Sequence, residues 1–183
     1  VIAALSRMGA GGATCFASGF AESEAEGTGG ADLQARLVAA AGGMPILGPN
    51  CYGFLNYLDN VTLWPDQHGG IPVASGVAIV GQSSNMAINM TMQRRALPIA
   101  YVLTAGNQAQ TSLSDLGIAA LADDRVTALG LHVEGFGDIR AFERLAGFAR
   151  DRGKPVVVLK AGRSEAAQAA TLTHTASLAG GAA

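Results

Sequence analysis

Of the three histidines in the chain, His174 has the setting of a reactive group. It lies in the stretch Gly162 to Gly180, rich in small and hydroxyl residues, directly after the apolar run Pro155 to Leu159. That pattern reads as a loop holding an imidazole in the open. A neutral imidazole nitrogen is nucleophilic near neutral pH and can carry a phosphoryl group, provided its other nitrogen is oriented and nearby amides neutralise the phosphate. A carboxylate accepting from one ring N–H does the orienting. Glu134, just past the run Val126 to Val133, is the candidate; its plainer role is to cap the next helix. Ser83 and Ser84 open a helix after Val77 to Val80, where hydroxyls and main-chain N–H groups suit a phosphate and equally an ordinary N-cap. Gly106 and Asn107 follow Ala100 to Leu103 and either approach the same phosphate or acyl group or form a plain turn. Arg163 is a weaker phosphate candidate, Ser164 fits a helix start, and His132 reads as a core or sheet-face residue.

The elements that must position these residues follow from hydrophobic periodicity and punctuation. Helices are expected at Val1 to Met8 and Asp32 to Ala41, and strands at Ala13 to Ser18 and Pro45 to Leu47, with Glu22, Glu24 and Glu26 in a solvated loop or first helical turn. Asn56 to Ser75 shows no sustained period, and a domain junction is placed near Gly70 to Gly76. From Val77 the pattern restarts: strands at 77–80, 100–103, 126–133 and 155–159 alternate with helices at about 86–95, 113–121 and 138–150. Short βα steps imply a parallel sheet, and right-handed crossovers bring every strand C-terminus to one edge. Gln82 to Asn85, Gly106-Asn107, Glu134-Gly135 and the His174 loop all fall at that edge, where helix N-terminal amides favour an anion.

Composition narrows the partners. With 49% apolar residues the chain is globular, and a net charge of −2 provides no field for nucleic acid or an anionic membrane. No apolar run approaches the roughly 18–20 residues of a spanning helix, so a soluble cytoplasmic protein is expected. Cys15 and Cys51 do not suggest a disulfide framework, and no metal-ligand spacing occurs. The start at Val1, inside an expected helix, and the end just after the His174 loop suggest a piece of a longer protein.

Several blocks, in order, resemble the NDP-forming acyl-CoA synthetases, relatives of the succinyl-CoA synthetase alpha subunit: Gly48-Pro49-Asn50-Cys51-Tyr52-Gly53, Val77 to Ser84, Ala105-Gly106-Asn107, Val133-Glu134-Gly135, and Lys154 to Glu165 continuing through Thr173 to Gly180. The resemblance implies the C-terminal part of a Rossmann-like CoA-binding domain over residues 1–72, without its opening βα unit. A flavodoxin-like ligase domain over residues 73–183 would follow it. An ATP-grasp domain or subunit, binding ATP or ADP and Mg, would lie outside this chain. It also implies the reaction acyl-CoA + NDP + phosphate ⇌ carboxylic acid + CoA + NTP through an acyl phosphate and a phosphohistidine, in an enzyme expected to be oligomeric.

Under that resemblance His174 aligns with the phosphorylated histidine and Glu134 with the carboxylate that orients it, while Asn50 and Cys51 align near the thiol end of CoA. A buried structural thiol is the other reading of Cys51. The chain departs from the family pattern at Thr173-His174-Thr175-Ala176, where Ser-His-Thr-Gly is usual, and at Gly81-Gln82-Ser83-Ser84, where Ser-Gln-Ser-Gly is common. Gln110 stands where many members have an acidic residue. A CoA-binding regulatory module of a protein acetyltransferase is the alternative; retention of both His174 and Glu134 favours the enzyme. A flavin-binding flavodoxin is disfavoured because only 5% of residues are aromatic.

Overall fold

The computed structural model describes residues 1–27 and 29–162. The expected sites at Arg163, Ser164 and His174 lie outside the described residues.

The N-terminal part runs α1 (Ile2–Arg7), β1 (Ala13–Thr14), a 3-10 helix (Ala21–Glu26), α2 (Gly30–Ala41) and β2 (Ile46–Leu47). β1 and β2 pair in parallel, Ala13 opposite Ile46 and Thr14 opposite Leu47, and α2 connects them. Ala41, Met44 and Ile46 form a small core on which Ile2 and Leu5 of α1 pack. The strand expected to reach Ser18 is only two residues long. Phe16 is 66% exposed, so no apolar layer among the described residues holds 15–18 extended.

The rest of the chain forms β3 (Phe54–Asn56), β4 (Val61–Leu63), β5 (Gly76–Gly81), α3 (Ser84–Thr91), β6 (Ile99–Thr104), α4 (Leu113–Ala122), β7 (Val126–Val133), α5 (Ile139–Asp151) and β8 (Val156–Lys160). One six-stranded sheet takes the order β4-β3-β6-β5-β7-β8. β6, β5, β7 and β8 are mutually parallel, whereas β3 is antiparallel to both β4 and β6. The hairpin β3–β4 adds two strands that periodicity does not reveal. It arises from residues before the expected junction near 70–76, yet it is hydrogen-bonded into the C-terminal sheet. α3 is shorter at its end than expected: Met92 closes it in the right-handed region and Ala96 has φ +56°.

Alternation along the central strands assigns a helix layer to each face. Ala78 and Val80 of β5 and Leu129, Leu131 and Val133 of β7 join Leu113, Leu121 and Leu145 in the principal core, beneath α4 and α5. Ile79 faces the other way, into a second core with Ala87 of α3, Leu55, Ile99 and Val102. Gly117 lets α4 approach closely, since a Cβ there would lie 3.0 Å from the Leu145 methyls. Side chains cap the starts of both helices. Asp138 accepts from Arg140 N at 2.8 Å at the head of α5, and Ser112 and Asp115 form a reciprocal capping box at α4.

Because the chain passes from β5 to β6 on one side and then returns beyond β5 to β7 on the other, the topological switch lies between β5 and β7. The helix layer changes face at the same place. Open α/β sheets hold ligands in the crevice outside such a point, and the fold therefore directs attention to the segments after β5 and β7.

Candidate active site

The segments that leave β5 and β7 are tied together by one side chain. Gln82, 1% exposed, accepts through Oε1 from Glu134 N at 2.6 Å and from Gly135 N at 3.0 Å. Two buried main-chain donors are thereby satisfied, and the turn that carries the Glu134 carboxylate is fixed relative to the start of α3. Glu134 is itself 6% exposed. From the outer strand, Lys160 Nζ donates to Glu134 O at 2.9 Å and to Ala161 O, so the turn is clamped from both neighbours of β7.

Ser83 is the N-cap of α3; its Oγ accepts from Met86 N at 3.4 Å. Ser84 Oγ instead accepts from Tyr52 N at 2.9 Å, reaching across to the turn that follows β2. This contact brings the expected CoA-side segment to the expected phosphate-side segment. Between them is a cleft of about 140 Å³ lined by Phe16, Asn50, Tyr52, Gln82, Ser84 and Asn85. Its lining is amide, hydroxyl and aromatic, with no charged side chain among these six. A larger groove of about 810 Å³ lies elsewhere, against the sheet face, where Val77, Ile79, Leu97, Val157 and Leu159 make it mainly apolar. The smaller cleft is the one at the strand ends, where polar groups converge.

Not every expected residue reaches the cleft. Cys51 is 1% exposed, and burial pushes its thiol up to about 11, which leaves a neutral thiol beside Thr104. Gly106 and Asn107 meet the turn at 48–50. Gly106 has φ +53°, and a Cβ there would sit 2.2 Å from Pro49 O, so glycine is required for the turn at 48–50 to approach. Asn107 donates its main-chain N–H to Pro49 O at 3.0 Å. Its side-chain amide donates to Glu22 Oε2 and, at 3.1 Å, to Gln34 Oε1. All the N–H groups of Asn107 are engaged with the N-terminal part, so that this side chain ties the end of β6 to it. Gln110 works similarly, accepting from Ile46 N at 2.8 Å and donating to Gly42 O at 3.0 Å. Thr104 does the same for Gly53, accepting from its N–H at 2.8 Å and donating to its carbonyl at 2.9 Å.

His132 is a buried sheet-face residue, in line with its place in the sequence, and its Nδ1 has no partner among the described residues. Gln82 is the important omission. Sequence marks it only as part of a turn, because its role depends on a contact 52 residues away. Tyr52, Phe16, Asn85 and Glu22 likewise become visible only once strand order is known. Among the described residues there is no group of three or more potential metal ligands, and no helix long and apolar enough to cross a membrane.

Comparison with known proteins gives this edge a lineage. The family model described as "Succinyl-CoA ligase like flavodoxin domain" matches residues 74–183. A trans-feruloyl-CoA synthase from an unknown prokaryotic organism is 32% identical over 96% of this chain and 26% of its own length. An ADP-forming acetate–CoA ligase of Archaeoglobus fulgidus is 33% identical over 92% of the chain and 24% of its own. Among solved structures, the dinucleotide-forming acetyl-coenzyme A synthetase 1 of Ca. Korarchaeum cryptofilum, in complex with phosphate and ADP, has a TM-score of 0.81 at 30% identity, covering 98% of this chain and 38% of that one. The chain thus spans about a quarter of the length of these two curated relatives. With a mostly parallel sheet, a matched ligase domain and relatives along nearly its whole length, the chain belongs to the NDP-forming acyl-CoA synthetase family.

Proposed function

We propose that the full-length protein interconverts acyl-CoA, NDP and phosphate with a carboxylic acid, CoA and NTP. The observation that carries this reading is the convergence of Asn50, on the turn assigned to the CoA side, and Ser84, at the N-terminus of α3, on one cleft at the sheet's switch point. Phosphate attacks the thioester carbonyl, forming an acyl phosphate and releasing the CoA thiol. The acyl phosphate then passes its phosphoryl group to an imidazole nitrogen of His174 and leaves as the free acid. NDP takes the phosphoryl group from phosphohistidine, yielding NTP and the original imidazole. Each step transfers one group and conserves its bonds.

In this scheme the N–H groups at the start of α3, with the hydroxyls of Ser83 and Ser84, face the phosphate, and a helix N-terminus favours the negative charge. Gly106 supports the site by allowing the turn at 48–50 to pack closely. Glu134, held by Gln82 and Lys160, orients the His174 imidazole and keeps one tautomer. The chain divides into a CoA-binding part over 1–72 and a ligase part over 73–183, and the β3–β4 hairpin joins them. The nucleotide and its Mg belong to an ATP-grasp domain or subunit, and the complete enzyme is an oligomer of the cytoplasm. The isolated residues 1–183 do not turn over.

The test is thioester formation by the full-length protein supplied with NTP, CoA and a panel of carboxylic acids. Acid-dependent consumption of the CoA thiol with release of NDP and phosphate is expected. Release of NMP and pyrophosphate, or no thioester with any acid, contradicts the reading.

A further inference from the structure

Asn107 is the residue at which three N-terminal segments meet the end of β6. Its main-chain N–H holds Pro49 O at 3.0 Å, and its side-chain amide holds Gln34 Oε1 of α2 at 3.1 Å. The same amide donates to Glu22 Oε2. The other oxygen of Glu22 accepts from Gly19 N at 2.7 Å and Phe20 N at 3.2 Å, main-chain donors of the loop that follows β1. Glu22 thus links that loop to β6 with both carboxylate oxygens in use. Asn107 Oδ1 is buried without a partner among the described residues, which orients the amide with its hydrogens toward the acceptors. A carboxylate accepting hydrogen bonds from a neutral amide forms a charge-assisted tie stronger than the amide–amide contacts around it.

We infer that Glu22 and Asn107 are positioning residues that set the CoA-side loops relative to the phosphate site. The inference rests on the reaction proposed above. It adds residues, Glu22 and Gln34, that the acidic run and the α2 helix give no sign of using. The loop after β1 carries Phe16, and the turn at Pro49 leads into Asn50. Both residues line the cleft, together with Ser84 on the other side. A displacement of the tie therefore shifts one wall of the cleft against the other. The thiol step, which needs both walls, suffers, whereas phosphorylation of the enzyme by NTP needs no CoA.

Asn107→Asp places two carboxylates face to face with no donor between them. Adding Glu22→Gln restores a donor, since the introduced amide NH₂ can reach the new carboxylate while the amide oxygen keeps Gly19 N and Phe20 N. The double variant also has the wild-type net charge. In the full-length protein the apparent KM for CoA should rise about tenfold in Asn107→Asp and return to within about threefold in the double variant, with phosphorylation by NTP unchanged in both. If Asn107→Asp does not fold, recovery of folded protein with near wild-type CoA saturation in the double variant supports the tie in the same way. Unaltered CoA saturation in Asn107→Asp, or a double variant no better than the single, overturns it. A wild-type protein that makes no thioester overturns the reaction itself, and the positioning role with it.

Discussion

The two edges of the six-stranded sheet are held by different chemistry. At the edge where β5, β6 and β7 end, neutral side chains bind main chain: Gln82 serves Glu134 N and Gly135 N, Thr104 serves Gly53, and Gln110 serves Ile46. At the opposite edge, exposed ions bind one another. Arg125 forms a fork with Asp59 at the tip of the β3–β4 hairpin, at 2.8 and 2.9 Å, and also pairs with Asp123 at 2.8 Å. The first arrangement fixes the turns around a cleft whose six lining side chains carry no charge. The second fastens an edge hairpin in water, where screening makes each pair weak.

If this contrast is right, the neutral edge is sensitive and the charged edge tolerant. The largest effect is expected from Gly106→Val, which combines a left-handed φ of +53° with a contact at 2.2 Å to Pro49 O. It should lower stability by about 3 kcal/mol or more, read as a shift in the urea-unfolding midpoint. Gln82→Leu keeps the volume but leaves two buried N–H groups without their acceptor. A loss of about 2–3 kcal/mol follows, with a fall in thioester formation as the Glu134 turn loosens. An unchanged midpoint in either variant would remove the distinction between the edges.

The smallest effect belongs to the ion pairs. Hydrogen bonds from Arg125 hold the carboxyls of Asp59 and Asp123 below the usual carboxylate range. A depressed folded-state value means that the contribution is present above the unfolded-state value, and that it is lost as pH falls through the folded one. Stability should thus decline on acidification below about pH 4, and part of the decline should vanish in Arg125→Ala. At neutral pH that substitution should move the midpoint only slightly, and less at high salt.

The difference between the edges also explains what can be read without coordinates. β5, β6, β7 and β8 are legible because each is an apolar run bounded by glycine, proline or a capping residue, and their loops place Ser84 and Glu134 at one edge by topology alone. β3 and β4 are not. Each has three residues, and β4, at the outer edge, is exposed throughout, so neither gives a period. β1 is shorter than its apolar pattern suggests, because Phe16 faces outward. In the site, the signal follows residue type: serine, glutamate, histidine and a Gly-Asn pair attract attention as chemistry, whereas Gln82 and Gln110 do not. Glu22 looks like one of three solvated acids, yet its partners are Gly19, Phe20 and Asn107. Long-range hydrogen bonds of neutral or half-buried groups leave no local pattern, and neither does the close approach of Gly106 and Asn107 to the turn at 48–50.

The central claim is that a phosphoryl group rests on His174 between the thioester and the nucleotide. The most direct measurement is to incubate the full-length protein with γ-labelled NTP and follow label on the protein. Label that is stable in base, lost in acid, discharged by NDP and absent in His174→Ala is the predicted result; a labelled His174→Ala protein, or thioester synthesis undiminished by that substitution, contradicts it.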